Sequence, residues 1–344
     1  MSRKSWTDGF RFDRDLWDPS NRFETSWLLS PWVLFACRAL ISIFIFTTRF
    51  YLIARHCISG PRGDLWDPSN RFETSWLLSP WVLFACRALI SIFIFTTRFY
   101  LIARHCISGP RGCDAAVDEF SFFTILTFWG LGFYFAFAAI HTLTYALRAR
   151  PLLDSFPRPL QALHALFYTT ITVYPWLVTI VYWGVLYSGP WYEQPYQAYS
   201  NISQHALNAA FALFEIIIPR TAYDQMRLVH MLWLIVILAF YLALAYMTEA
   251  TRGFYPYSFL DPDANGSGVV AGYILGIAAA SLIIFWAVKG LVWVRQWLTE
   301  RRLGMDGKFA RQPAYDETEM GTIGHTAKPN HDREAELDGP VDRL

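Results

Sequence analysis

The chain has 344 residues, 54% of them hydrophobic and 18% aromatic against only 17% charged, a balance too apolar for a soluble domain of this length. A formal net charge of +1 argues against a basic nucleic-acid footprint, and the sequence holds neither a phosphate-cradling glycine loop nor a CxxC pair. The class implied is an integral membrane protein.

The first residues, MSRKSWTDGFRFDRDLWDP, are polar and basic where a cleavable signal would place a short apolar core. Residues 1–14 read as a polar tail, and the first spanning helix as its own insertion signal. An exact repeat follows: residues 15–63 recur as 64–112 without one difference. Evolved internal repeats diverge, because each copy packs against different neighbours. Identity over this length therefore reads as a recent duplication or an artefact of gene assembly. Four of the five cysteines, Cys37, Cys57, Cys86 and Cys106, are two residues counted twice, which leaves Cys113. Neither a disulfide framework nor a zinc site is readable from them.

A spanning helix needs about 20 mainly apolar residues. The repeat supplies 27–54 and its copy 76–103; after it come 122–147, 165–187, the short 204–219, 228–247 and 269–297. The fold class expected is all-α, a polytopic transmembrane helical bundle with six distinct spanning segments plus one duplicated copy of the first. Residues 113–297 form the membrane core. Residues 298–344 are charged and poor in large apolar side chains, and read as a disordered cytoplasmic tail.

Lysine and arginine in short loops set the orientation. Arg148, Arg150 and Arg158 mark one loop as cytoplasmic, Arg220 and Arg227 a second, and Arg295, Arg301, Arg302, Lys308 and Arg311 follow the last helix. The loops between differ: 189–203 has no Lys or Arg and 248–268 only Arg252. The C-terminus is thus expected in the cytoplasm, and the sequons at Asn201 and Asn265 fall in non-cytoplasmic loops. Arg3, Lys4, Arg11, Arg14 and Arg22 hold the N-terminus on the cytoplasmic side, so a single spanning copy delivers the chain correctly to residue 122. Two copies would not. Arg104 and Arg111 then lie outside, against the charge bias.

In 204–219, His205, Asn208, Ala209, Ala212 and Glu215 recur at helical spacing on one face. Polar side chains inside a membrane helix are costly and point into the protein. At about 1.5 Å per residue Glu215 lies roughly 15 Å from His205 along the helix, so the stripe holds two separate features. Glu215 is expected to pair with Arg87, or with its copy Arg38. His205 needs a hydroxyl to activate, and the segment 122–147 offers Ser121, Thr124 and Thr127 near its outer start, at a similar depth. Spacing alone leaves His205 as either a general base or a structural histidine. His141 and His230 fall near cytoplasmic helix ends without the paired spacing of haem ligands and read as interfacial. No cofactor and no metal is expected.

ILTFWGLGFYF (125–135), VYPWLVTIVYWGVLY (173–187), NISQHALNAAFALFE (201–215) and GFYPYSFLD (253–261) together resemble, in order, the androgen-induced protein family of multi-pass membrane hydrolases, in particular its fungal members. The resemblance covers about residues 120–295. It implies a threonine hydrolase acting on fatty acid esters of hydroxy fatty acids, with Thr127 as nucleophile and His205 as its partner. Asn208 would orient the imidazole or donate to the oxyanion, and Asn201 would support the site. The partners implied are a lipid substrate and the bilayer, with no nucleic acid. The competing reading is a non-catalytic membrane protein, either a lipid-binding scaffold or a small-solute carrier; a carrier would show broken helices at the midplane, and Pro175 is the only central helix breaker in the sequence.

Overall fold

The computed structural model describes residues 70–109 and 111–305. The first copy of the repeat, with Arg38, and the tail from residue 306 lie outside the described residues. The second copy provides α1 (Pro80–Ser108), and α2 (Cys113–Asp118) follows. Next come α3 (Phe123–Arg148), α4 (Arg158–Val181), α5 (Pro195–His205), α6 (Leu207–Ile217), α7 (Val229–Arg252), α8 (Pro262–Asn265) and α9 (Ser267–Gln296). Two helices run on as π turns, α4 through Tyr182–Leu186 and α9 through Trp297–Arg302. Among the described residues there is no strand, only an isolated bridge between Ser75 and Pro219. Among the described residues five helices are long and apolar enough to cross a membrane: Pro80–Ser108, Phe123–Arg148, Arg158–Leu186, Val229–Arg252 and Ser267–Arg302.

Local signals explain the boundaries. Ser79 caps α1 by accepting from the Val82 amide, and Pro80 fills the first turn, where a missing N–H costs nothing. α3 ends at Ala149, which takes the left-handed conformation (φ 56°) normally given to glycine. α1 lies along α3 at close range: a Cβ on Gly132 would sit 2.8 Å from Ile94 Cγ2, and Ser91 Oγ donates to the Gly132 carbonyl at 3.0 Å. The apolar core is built from α3 (Phe128, Leu131, Phe135), α4 (Tyr168, Leu177) and α9 (Phe285).

The structure departs from the sequence reading in four places. The short segment 204–219 is two helices, α5 and α6, broken at Ala206 and beginning nine residues earlier, at Pro195. Residues 195–203 are too polar for a hydropathy window, yet they pack against polar positions of α1: Tyr196 meets His105 at 2.8 Å and Tyr199 meets Thr97 at 2.7 Å. At the far end Trp76 Nε1 donates to the Ile217 carbonyl at 2.7 Å, so the broken pair runs antiparallel along the whole of α1, about 43 Å by helical rise. Second, Cys106 and Cys113 form a disulfide across seven residues; counting Cys106 as a duplicate of Cys57 had hidden the pair. Third, Asn201 lies inside α5 rather than in a loop, with its carboxamide bonded to Tyr182 and Gln197. Fourth, His141 and His230 are buried, 3% and 4% exposed, rather than interfacial; His230 Nδ1 meets Thr169 Oγ1 at 2.7 Å, and the His141 ring packs edge-on against His164.

Candidate functional site

The break at Ala206 (φ −123°, ψ −52°) interrupts the helical hydrogen-bond ladder. In an unbroken helix the Ala209 amide would donate to the His205 carbonyl. Here the Ala209 amide donates to Asn208 Oδ1 at 2.7 Å, and the His205 carbonyl accepts from Trp183 Nε1 at 3.1 Å. Two side chains thus replace the lost bond, as buried backbone groups require. Thr179 Oγ1 also donates to Asn208 Oδ1, at 3.1 Å, which ties the break to α4.

The same break fixes the imidazole of His205. Its ring lies flat on Tyr182, with centroids 3.5 Å apart and planes at 14°. Nδ1 lies 3.1 Å from the Asn201 carbonyl. A carbonyl only accepts, so Nδ1 carries the hydrogen and Nε2 keeps the lone pair. Asn201 holds both partners, because its Oδ1 also accepts from the Tyr182 hydroxyl at 2.7 Å. The imidazole is therefore oriented by Asn201 and Tyr182. Asn208 is spent on the backbone through its oxygen, and its Nδ2 is buried with no hydrogen-bond partner.

Thr127 is 9% exposed on α3, and its Oγ1 is likewise buried without a partner. Threonine in a membrane helix ordinarily bonds back to the carbonyl four residues earlier. Thr142, Thr169, Thr172, Thr248 and Thr299 all do so, at 2.7 to 3.1 Å. Thr127 instead faces a half-open cavity of about 350 Å³ between α3, α4 and α7, beside Leu126, Gly130, Ile171, Tyr174 and Phe240. A second apolar cavity, of about 270 Å³, lies between α4, α7 and α9 under the turn at Ser258–Leu260, and Tyr182 is on its wall. No hydrogen bond joins Thr127 to His205 among the described residues.

Glu215 belongs to another cluster. Arg87 and Glu215 form an ion pair, 1% and 0% exposed, with Arg87 Nε 3.2 Å from Glu215 Oε2. Arg87 Nη1 donates to the Phe72 carbonyl at 2.7 Å and to Thr142 Oγ1 at 2.6 Å, and the Tyr134 hydroxyl donates to Glu215 Oε1 at 3.0 Å.

Arg104 and Arg111, which the charge bias places awkwardly, have partners at the α1–α2 end. Arg111 and Arg252 both pair with Asp118, at 2.8 and 2.6 Å, and Arg104 lies over the Tyr196 ring. Sequence reasoning missed Tyr182 and Trp183 as parts of the site. The cluster of Tyr and Trp at 182–192 was a visible signal, but nothing in spacing showed which ring would lie under His205. Compared with known protein families, curated proteins and solved structures, the chain matches none.

Proposed function

We propose that the chain is an integral membrane hydrolase that cleaves lipid esters, with Thr127 as nucleophile and His205 as general base. The observation that carries this reading is Thr127, which lines an apolar cavity and whose buried hydroxyl is unpartnered, where Thr142, Thr169 and Thr172 bond back to their own helices. His205 supports it, since its tautomer leaves Nε2 as a proton acceptor. Thr127 Oγ attacks the ester carbonyl while Nε2 takes its proton, and the proton passes to the departing alkoxide. Water, deprotonated in turn by Nε2, attacks the acyl-threonine, and the proton returns from Nε2 to Thr127 Oγ as the acid departs. The contact between hydroxyl and imidazole closes on substrate binding, as such contacts often do. Asn208 Nδ2, buried and unpartnered, is the donor for the oxyanion.

The topology proposed has α5 and α6 together as a sixth crossing, because they run the length of α1. The α1–α2 end is then non-cytoplasmic. Its disulfide fits an oxidising compartment, and Arg98, Arg111 and Arg252 at this end pair with Asp118 and Glu119. The C-terminus is cytoplasmic.

The break at Ala206 also favours a small-solute carrier, since carriers bind at interrupted helices. The apolar lining of both cavities favours lipid over a polar solute. Purified protein incubated with a fluorogenic long-chain ester separates the two readings. Turnover by the wild type, lost in Thr127→Ala and in His205→Ala, is the expected result; turnover that survives both substitutions rejects the threonine mechanism.

A further inference from the structure

Among the described residues, the wall of the cavity beside Thr127 offers little to hold a water. Besides Thr127 it carries three hydroxyls, and each gives its hydrogen to a backbone carbonyl: Thr170 to Phe167 at 2.7 Å, Tyr174 to Leu234 at 2.8 Å and Tyr241 to Ser121 at 3.1 Å. The rest of the lining is apolar, with Leu126, Ile171, Ile237 and Phe240 among it. A buried water typically makes about three hydrogen bonds, and apolar cavities stay dry. Of the hydroxyls on this wall only that of Thr127 is unpartnered, and once acylated it donates nothing. The step that needs water therefore comes when the cavity is at its least polar.

On the topology proposed above, the open side of the cavity meets lipid. Phe240, on its wall, is 58% exposed and stands at the middle of the span Val229–Arg252, where the surroundings are acyl chains. Thr127 is one helical turn inside the start of α3, closer to headgroup depth. An amphiphile that threads its chain past Phe240 brings a hydroxyl to Thr127 through its own apolar burial, whereas water has no such pull. We propose, on the ester-hydrolase reading above, a second activity: acyl transfer from Thr127 to a long-chain alcohol of the bilayer, in preference to water. The alcohol oxygen attacks the acyl-threonine carbonyl as His205 Nε2 takes its proton; the bond to Thr127 Oγ breaks, and Oγ recovers the proton from Nε2. One ester is consumed and one is made, so no further reactant enters. Hydrolysis is then the slower branch, taken when no alcohol occupies the cavity.

Product analysis tests this. Purified protein in lipid nanodiscs turns over a fluorogenic long-chain ester with dodecanol added to the bilayer, and dodecyl ester and free acid are quantified by mass spectrometry. The expected result is dodecyl ester in excess of acid by about tenfold, the factor set by one hydrogen bond that water forfeits in the cavity, with neither product from Thr127→Ala. Gly130 lines the same cavity, and a Cβ there meets nothing within 4 Å. The near-isosteric pair Gly130→Asn and Gly130→Leu thus enters open space and differs mainly in polarity. Asparagine, able to hold a water, should move the products toward acid; leucine should keep the transfer. The ratio of products is read rather than the rate, and the unfolding midpoint of each variant confirms that it folds. Acid as the main wild-type product with dodecanol present, or the same ratio in the Asn and Leu variants, overturns the proposal and leaves the hydrolase standing. No product of either kind from the wild type sinks the threonine mechanism, and this inference with it.

Discussion

Two polar residues of α6, Glu215 and Asn208, are treated in opposite ways. At Glu215 every charged oxygen and nitrogen has a partner: Arg87 spans Glu215, Thr142 and the Phe72 carbonyl, and Tyr134 completes the carboxylate. At the His205 end Asn208 Nδ2 and, across on α3, Thr127 Oγ1 are buried with nothing to bond to. Evolution rarely leaves such groups orphaned unless they have work elsewhere, because an unpaired buried donor costs about 1–3 kcal/mol. The Arg87–Glu215 pair reads as scaffold, and on the function proposed above the orphaned groups of Thr127 and Asn208 are kept for the substrate.

Substitutions should separate the two ends. The largest loss is expected for Glu215→Ala, which strands the Arg87 guanidinium in the core and costs about 3–5 kcal/mol. Reversible denaturation in mixed detergent measures it, and a loss below about 1 kcal/mol, the worth of an exposed pair, would place this pair on the surface in practice. Thr142→Val comes next. It removes an acceptor of Arg87 and should cost about 1.5–3 kcal/mol, the range for hydrogen bonds to charged groups. Trp183→Phe keeps an aromatic ring but loses the donor to the His205 carbonyl and part of the indole's volume, for about 1–2 kcal/mol; because that carbonyl marks the helix break, turnover should fall as well. Unchanged turnover would detach Trp183 from the positioning of His205.

Much of this was legible in the sequence, for definite reasons. The five long spans declare themselves because hydropathy over 18 or more residues is a strong signal. The break at Ala206 left none: alanine favours helix, and the break exists because Asn208 and Trp183, 25 residues apart, jointly accept and donate in place of one backbone bond. The start of α5 was invisible for a related reason, since its tyrosines are held by polar residues of α1 that only the fold brings near. Depth offered Ser121, Thr124 and Thr127 alike, and the resemblance of ILTF to a family motif singled out Thr127 as the candidate. Its missing back-bond, the property that sets it apart from Thr142, Thr169 and Thr172, is a fact of geometry alone.

Thr127→Val tests that property with the smallest expected change in stability. Valine matches threonine in shape and is equally stiff at χ1, so α3 keeps its packing against α1 and α4. What disappears is a hydroxyl with no partner, and removing an unsatisfied polar group is neutral or stabilising. The variant should be as stable as wild type, or more so by up to about 1 kcal/mol, in direct contrast to Thr142→Val fifteen residues along the same helix. On the proposed mechanism its turnover of a long-chain ester nevertheless vanishes, because no nucleophile remains. Stability and activity then move in opposite directions at one atom, as expected where a protein keeps an unpaired group for its chemistry. If Thr127→Val instead loses stability as Thr142→Val does, the hydroxyl has a structural partner after all and the contrast between the two ends of the bundle collapses.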